Sequence, residues 1–386
     1  MDGSARPAKA WGIAAVLILT GCSGTTSPVA PSAVTSSEIR PVQSSKTSTP
    51  STTGSSPSAT GTRDLIVSPQ DVVTDLQTPW SVVFRDGVPL VSERDSGRIV
   101  ELSDDGTARE ITVIEEVASR GEGGLLGLAV DDQGRLYAYY TATDDNRIVR
   151  FDVSGDAGSL SLGEPEVILD GVKKSTTHNG GRMAFGPDGM LYVTTGDANA
   201  RENPQDVKSL SGKILRMTAD GGVPPDNPFD GSLVWSFGHR NPQGLAWSDD
   251  GTMFATEFGQ QTWDELNIIE PGRNYGWPVV EGAAGNPDFV DPVQQWAPKD
   301  ASPSGMAYLD GTLYIANLRG QALRAVPVAD PSTSTVFWDG SYGRLRHAAV
   351  SPEGHLWVIT NNTDGRGRAV SGDDRILAIS AEALAG

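Results

Sequence analysis

From about residue 80 onward, short apolar runs alternate with polar turns on a recurring template. An acidic residue and a glycine close each turn, and four or five mostly apolar residues follow. Asp86-Gly87 precedes Val88 to Val91, Asp131 to Gly134 precedes Leu136 to Tyr140, and Asp188-Gly189 precedes Met190 to Thr194. Asp250-Gly251 precedes Met253 to Thr256, Asp310-Gly311 precedes Leu313 to Ala316, and Glu353-Gly354 precedes Leu356 to Thr360. Runs this short, bounded by turn residues, predict strands rather than helices. A second short run follows each of them: Gly97 to Val100, Asn146 to Val149, Gly212 to Leu215, Glu265 to Ile268, Gln321 to Arg324 and Asp374 to Leu377.

The paired signals recur at spacings of about 43 to 62 residues. Repetition of this kind predicts an all-β fold, a six-bladed β-propeller with four-stranded antiparallel blades. The acidic residue and glycine would form the hairpin turn between two strands of each blade. Leu65 to Phe84 would supply entry strands, one of them completing the last blade and locking the ring. In such a ring the loops at one mouth bring residues distant in sequence around a single pocket.

The first sixty residues follow no such pattern. Arg6 and Lys9 precede an apolar run from Ala10 to Leu19, and Leu19-Thr20-Gly21-Cys22 follows. That arrangement resembles a bacterial lipoprotein leader, residues 1–21, with Cys22 as the lipid-bearing residue, since the run is too short to span a bilayer. The tract 22–62 is rich in Ser, Thr and Pro and reads as an extended tether. The foldable part is 63–386, on a chain expected to be exported and lipid-anchored to the outer face of the cell membrane. A formal charge of -19 leaves no basic stripe for phosphate neutralisation, which argues against nucleic acid as a partner. Cys22 is the one cysteine, so no internal disulfide or c-type haem attachment is available.

Candidate chemistry lies in the loops. His178 stands in a glycine-rich turn ahead of a hairpin that runs through Gly186-Pro187-Asp188-Gly189 and ends at Gly196-Asp197. A sheet can bring the two ends together, and a carboxylate beside an imidazole orients a general base. His239, in Phe237-Gly238-His239-Arg240-Asn241-Pro242, is the rival base. Arg240 and Asn241 offer guanidinium and amide to an anionic or oxygen-rich ligand. Glu122, between glycines, either points into the mouth or only accompanies a tight turn. Gly259 and Gln260 offer backbone carbonyls, and Asp264 and Glu265 carboxylates, which are oxygen ligands suited to calcium. Trp296 lies in a polar loop. Arg240, Arg319, Arg344 and Arg346 would together make a pocket for a polycarboxylate.

The ordered motifs HNGGRMAFGPDGMLYVTTGD, SGKILRM, FGHRNPQGLAW, DELNII and NYGWP resemble the glucose/sorbosone dehydrogenase family over about residues 65 to 385. The resemblance implies a six-bladed propeller that binds pyrroloquinoline quinone (PQQ) and Ca2+ and oxidises the C1 hydroxyl of an aldose to a lactone. It implies His178 as the base and Asp197 as its orienting carboxylate. Glu122, Arg240, Asn241, Trp296, Arg319, Arg344 and Arg346 would meet the cofactor. Gly259 and Gln260 would give carbonyls to the cofactor calcium, and Glu265 with the Tyr275 carbonyl would hold a second, structural calcium. Glu122 replaces a glutamine of well-studied members, and Arg319 a lysine. Arginine keeps the charge with a different geometry, and a glutamate beside an anionic cofactor is repelled unless it is protonated, paired or turned toward calcium. An electron acceptor is required, and the sequence does not name one. Two other readings stay open: a calcium-dependent lactonase in which His178 or His239 activates water, and a non-enzymatic lipoprotein whose mouth binds a glycan or a partner protein.

Overall fold

The computed structural model describes residues 61–62, 68–380 and 383–384. The leader, Cys22 and nearly all of the tether lie outside the described residues. Within them the chain forms six four-stranded antiparallel blades. Blade 1 runs through Pro79–Arg85, Val88–Glu93, Arg98–Leu102 and Ala108–Val113. Blade 2 is Leu125–Val130, Leu136–Thr141, Asn146–Phe151 and Glu166–Val172, and blade 3 is Met183–Phe185, Leu191–Thr195, Lys213–Met217 and Val234–Phe237. Blade 4 holds Pro242–Trp247, Met253–Glu257, Asp264–Ile269 and Gln294–Trp296, and blade 5 holds Pro303–Leu309, Thr312–Asn317, Ala322–Pro327 and Thr335–Phe337. Blade 6 takes Leu345–Val350, Leu356–Thr360 and Ile376–Ile379 from the C-terminal end, and Gln70–Val73 from the N-terminal end as its outer strand. The ring is therefore closed by hydrogen bonds between the two ends of the domain, as the entry segment predicts. Gly61–Thr62 pairs in parallel with Thr335–Val336 on the outside of blade 5.

Every acidic-glycine signal joins the first and second strands of its blade. In blades 1 and 5 the turn has two residues, and both Asp86 and Gly87, like Asp310 and Gly311, have positive φ. That is the backbone a tight hairpin needs to match strand twist. In the longer turns the aspartate caps its own loop: Asp131 Oδ1 accepts from the N–H groups of Gln133 and Arg135, and Asp250 Oδ1 from that of Thr252.

The core is divided the same way as the sheets. Each of six apolar clusters fills the space between one blade and the next, with Leu90, Leu125 and Leu136 between blades 1 and 2, for example, and Val82, Val100 and Ile359 between blades 6 and 1. No blade can bury its faces alone, so closure of the ring and burial of the core are one event.

One buried cation holds a loop that bears on the mouth. Lys213 Nζ donates to the carbonyls of Asn203 (2.7 Å), Ser211 (2.9 Å) and Pro204 (3.1 Å). Burial pushes its pKa down to about 7, and three carbonyl dipoles favour the charged form in return. Lys213→Met would leave the Ser211 carbonyl without a donor and take the charged one of two donors from the Asn203 and Pro204 carbonyls. The expected loss is roughly 2–5 kcal/mol in denaturant unfolding, with new proteolytic cleavage between residues 198 and 211. Unchanged stability would show that the lysine does not pin this loop.

Candidate active site

The mouth lies at the end of the ring where first strands begin and second strands finish. His178 precedes the first strand of blade 3 and Asp197 follows the second strand, so one hairpin delivers both. His178 Nδ1 lies 2.7 Å from Asp197 Oδ1. Asp197 is 1 % exposed, and its other oxygen accepts from Trp277 Nε1 at 2.9 Å. Oδ1 also accepts from the Asn199 N–H at 2.7 Å. The loops approach so closely that a Cβ on Gly196 would lie 2.0 Å from the His178 carbonyl oxygen. His178 itself has φ of 60°, and its N–H donates to Glu122 Oε2 at 3.0 Å.

Burial alone would raise the Asp197 pKa, but the contacts from His178, Trp277 and Asn199 outweigh it and hold the carboxyl below the ordinary aspartate value. An ionised carboxylate only accepts hydrogen bonds. Nδ1 of His178 therefore carries the proton and Nε2 keeps a lone pair. A carboxyl whose folded pKa is depressed adds stability that is present above its unfolded value near 3.8 and lost as pH falls through the folded value. The stability advantage of the wild type over Asp197→Asn should thus be constant above about pH 5 and shrink below about pH 4. A difference independent of pH in melting experiments would contradict an ionised Asp197.

Arg240 and Asn241 come from the loop that enters blade 4. Asn241 Oδ1 accepts from the Gly180 N–H at 3.0 Å, which ties this loop to the His178 turn. Its Nδ2 is buried without a partner, as are Arg240 Nε and Arg344 Nε. Arg240 Nη1 donates to the carbonyls of Phe258 (3.0 Å) and Gly259 (2.6 Å), and burial lowers its proton affinity. Arg344 pairs with Asp364 at 2.9 Å, and Arg346 lies 3.9 Å from the same oxygen. Arg346, 4 % exposed, also donates to Asn361 Oδ1 (2.7 Å) and Gln243 Oε1 (3.1 Å). Burial brings its pKa down to about 9, with Arg94 and Arg344 adding repulsion. Glu122, the departure that raised the question of repulsion, is paired: Arg366 Nη1 lies 3.5 Å from its carboxylate.

Two sequence-derived placements change, those of His239 and Trp296. His239 is not a base at the mouth. It is fully buried, bonded to Glu257 (2.7 Å) and Ser236 (2.8 Å) and stacked on Tyr275, so both ring nitrogens are spent on structure. Trp296 sits in the outermost strand of blade 4 with Arg324 stacked over its ring at 4.7 Å. Trp277 is the indole that reaches the His178–Asp197 pair, with Arg201 and Arg240 over its ring at 4.5 and 5.5 Å. Arg319 follows the second strand of blade 5 at the mouth end, exposed and with no hydrogen bond or ion pair among the described residues. The Gly259 carbonyl, expected to face calcium, accepts from Arg240, and the Gln260 side chain accepts from Arg201 Nη1 at 3.1 Å.

Glu265 lies directly across from Glu257 in the sheet. Burial, with Glu257 opposite, pushes its pKa up to about 8. Beside it, Asn267 Oδ1 is buried without a partner. Among the described residues no cluster of three or more His, Cys, Asp or Glu side chains forms a metal site. The sequence reading did not include Arg182, which lies beneath the mouth. It is fully buried, stacked on Trp80 at 4.0 Å and bonded to the Gln243 carbonyl at 3.0 Å. Asp364, in a Gly/Arg-rich loop, gave no signal beyond its position between arginines.

Residues 76–370 match the family model described as Glucose / Sorbosone dehydrogenase. The PQQ-bound form of an aldose sugar dehydrogenase from Streptomyces coelicolor superimposes with a TM-score of 0.77 at 48 % identity, covering 81 % of this chain and 96 % of that one. Aldose sugar dehydrogenase YliI of Escherichia coli is 30 % identical over 67 % of this chain and 80 % of its own length. Quinoprotein glucose dehydrogenase B of Acinetobacter calcoaceticus is 30 % identical over 55 % of this chain and 52 % of its own.

Proposed function

Because the chain belongs to the glucose/sorbosone dehydrogenase family, we propose that its mouth binds PQQ and oxidises the C1 hydroxyl of an aldose to a lactone. The observation that carries this reading is the orphaned set at the mouth. Arg240 Nε, Asn241 Nδ2 and Arg344 Nε are buried donors without acceptors, in company with Arg346. Unpaired buried donors are costly, and a planar polyanion rich in carbonyl and carboxylate oxygens suits all of them. PQQ fits this set, with Arg344 and Arg346 toward its acidic groups and Arg240 and Asn241 along its edge. When bound, the quinone supplies a two-electron acceptor able to take hydride.

The protein's own part is proton transfer and positioning. His178 Nε2 takes the C1 hydroxyl proton, and Asp197 holds the ring in the tautomer that leaves this nitrogen free. Asp197 also stabilises the imidazolium that results. Trp277 fixes the second Asp197 oxygen, and Glu122 fixes the His178 backbone. Calcium is part of the same proposal. The facing pair Glu257 and Glu265 and the orphaned Asn267 Oδ1 would offer a hard cation oxygen ligands, with the Tyr275 carbonyl as a further one. The chain would act from the outer face of the membrane, anchored through Cys22, and hand its electrons to a separate acceptor.

Blocking C1 tests the reaction assigned. Glucose should reduce the PQQ-loaded protein, glucose deuterated at C1 should do so more slowly, and methyl glucoside should not reduce it at all. Reduction by methyl glucoside would contradict C1 oxidation.

A further inference from the structure

A position in the third strand of each blade faces the preceding blade. It is occupied by Val100, Val149, Leu215 and Leu377 in blades 1, 2, 3 and 6, none more than 2 % exposed. In blade 5 the same position is Arg324, opposite Ile315 in the sheet and itself 5 % exposed. A guanidinium has been placed where the fold wants a hydrocarbon. Its bonds do not neutralise it. Nη1 donates to Ser334 Oγ at 2.9 Å and Nη2 to the Asp300 carbonyl at 3.4 Å, while Nε has no partner. Among the described residues no carboxylate lies within ion-pair distance of it. Arg150 and Arg216, on the third strands of blades 2 and 3, each pair with two.

Arg324 lines a cleft of about 510 Å³ between blades 4 and 5. The cleft opens on the same face as the mouth, because its walls are the upper ends of third and fourth strands. It shares no residue with the His178–Asp197 set. Trp263 and Trp296 contribute indole walls, and Arg324 stacks against the second of these. The Lys299 ammonium and the Asp300 carboxylate form an exposed pair at 2.7 Å on the rim, where Asp300 also acts on Arg324 at longer range, and Asp339 is the second carboxylate of the lining. Indole faces recognise the apolar face of a pyranose, a carboxylate accepts from its hydroxyls, and a desolvated guanidinium with no carboxylate in ion-pair contact selects an anion. We propose that this cleft is a second saccharide site that takes an acidic sugar unit, of the uronic acid class, separate from the ring presented to His178.

The proposal does not depend on the quinone reading and is tested without it. Sodium glucuronate and glucose are titrated by calorimetry into the full chain free of PQQ. Glucuronate should bind at one site at least tenfold more tightly than glucose. Arg324→Leu should abolish that preference while keeping or raising the melting temperature, since aliphatic residues fill this position in four other blades. Trp296→Ala, at a half-buried position, should weaken glucuronate binding without loss of fold and serves if the first variant does not fold. Equal binding of the two sugars, absence of glucuronate binding, or binding that survives both substitutions (as it would if the mouth arginines held the anion) would each overturn the proposal.

Discussion

Replacing His178 by alanine lowers aldose-driven reduction of the loaded protein by about 10²- to 10⁴-fold, the range expected for a positioned general base. The geometry makes this specific. Asp197 accepts from Nδ1 at 2.7 Å and is itself held by Trp277 and Asn199, so the one free lone pair of the dyad is on Nε2. Cofactor affinity should change only slightly, because the orphaned donors belong to Arg240, Asn241 and Arg344. Stopped-flow reduction with saturating sugar separates the two. A variant that binds PQQ normally and reduces it at the wild-type rate would remove His178 from the chemistry. His178→Ala should not disturb the fold, since the ring is partly open to the mouth and its backbone N–H still reaches Glu122.

Arg346→Met should lower PQQ affinity by about 2–5 kcal/mol, roughly 30-fold to several thousand-fold, while the cofactor-free protein keeps its stability or gains some. Arg346 is buried, and its nearest carboxylate, Asp364, is 3.9 Å away and more closely engaged by Arg344. Arg182, also buried, has no carboxylate partner among the described residues and adds to the positive field. A buried guanidinium that is poorly neutralised costs stability in the free protein, and a polyanion repays the cost on binding. Methionine fills similar volume without charge; it leaves Asn361 Oδ1 without a donor, a loss that removal of the poorly neutralised charge offsets. The signature is an opposite movement of two measurements, melting temperature without cofactor and affinity for it. A fall in both would assign Arg346 a purely structural role.

The fold was legible because it is written six times. One acidic-glycine turn is ambiguous, but six of them, each with the same second strand after it, leave little besides a ring of blades. The closing strand at Gln70–Val73 was readable for the same reason, since the last blade lacked a fourth strand at the C-terminal end. His178 and Asp197 were readable because a single hairpin connects them, so no long-range information was needed. His239 was not, since it and His178 occupy similar glycine-flanked polar runs. The difference is made by Ser236 and Glu257, which meet His239 only once the sheet is folded.

Trp277 could not be told apart from Trp296 for a related reason. Trp296 ends the outermost strand of blade 4 and Trp277 stands in the long irregular segment that leads to it, so which indole reaches the axis depends on how the segment 270–293 crosses the face. Composition says nothing about that path. Asp364 and Arg182 went unread because their importance is electrostatic: one carboxylate shared by two arginines, and one guanidinium with none. Glu122 illustrates the converse. As an isolated residue it argued against an anionic ligand, and its Arg366 partner, distant in sequence, removes the objection.

The most direct test of the central claim is calorimetric titration of PQQ into the calcium-loaded protein, followed by addition of glucose with the quinone absorbance recorded. Stoichiometric binding at one site and sugar-dependent loss of the oxidised spectrum are expected. Failure of the folded, calcium-loaded protein to bind PQQ would contradict that claim, as would bound PQQ that no aldose reduces.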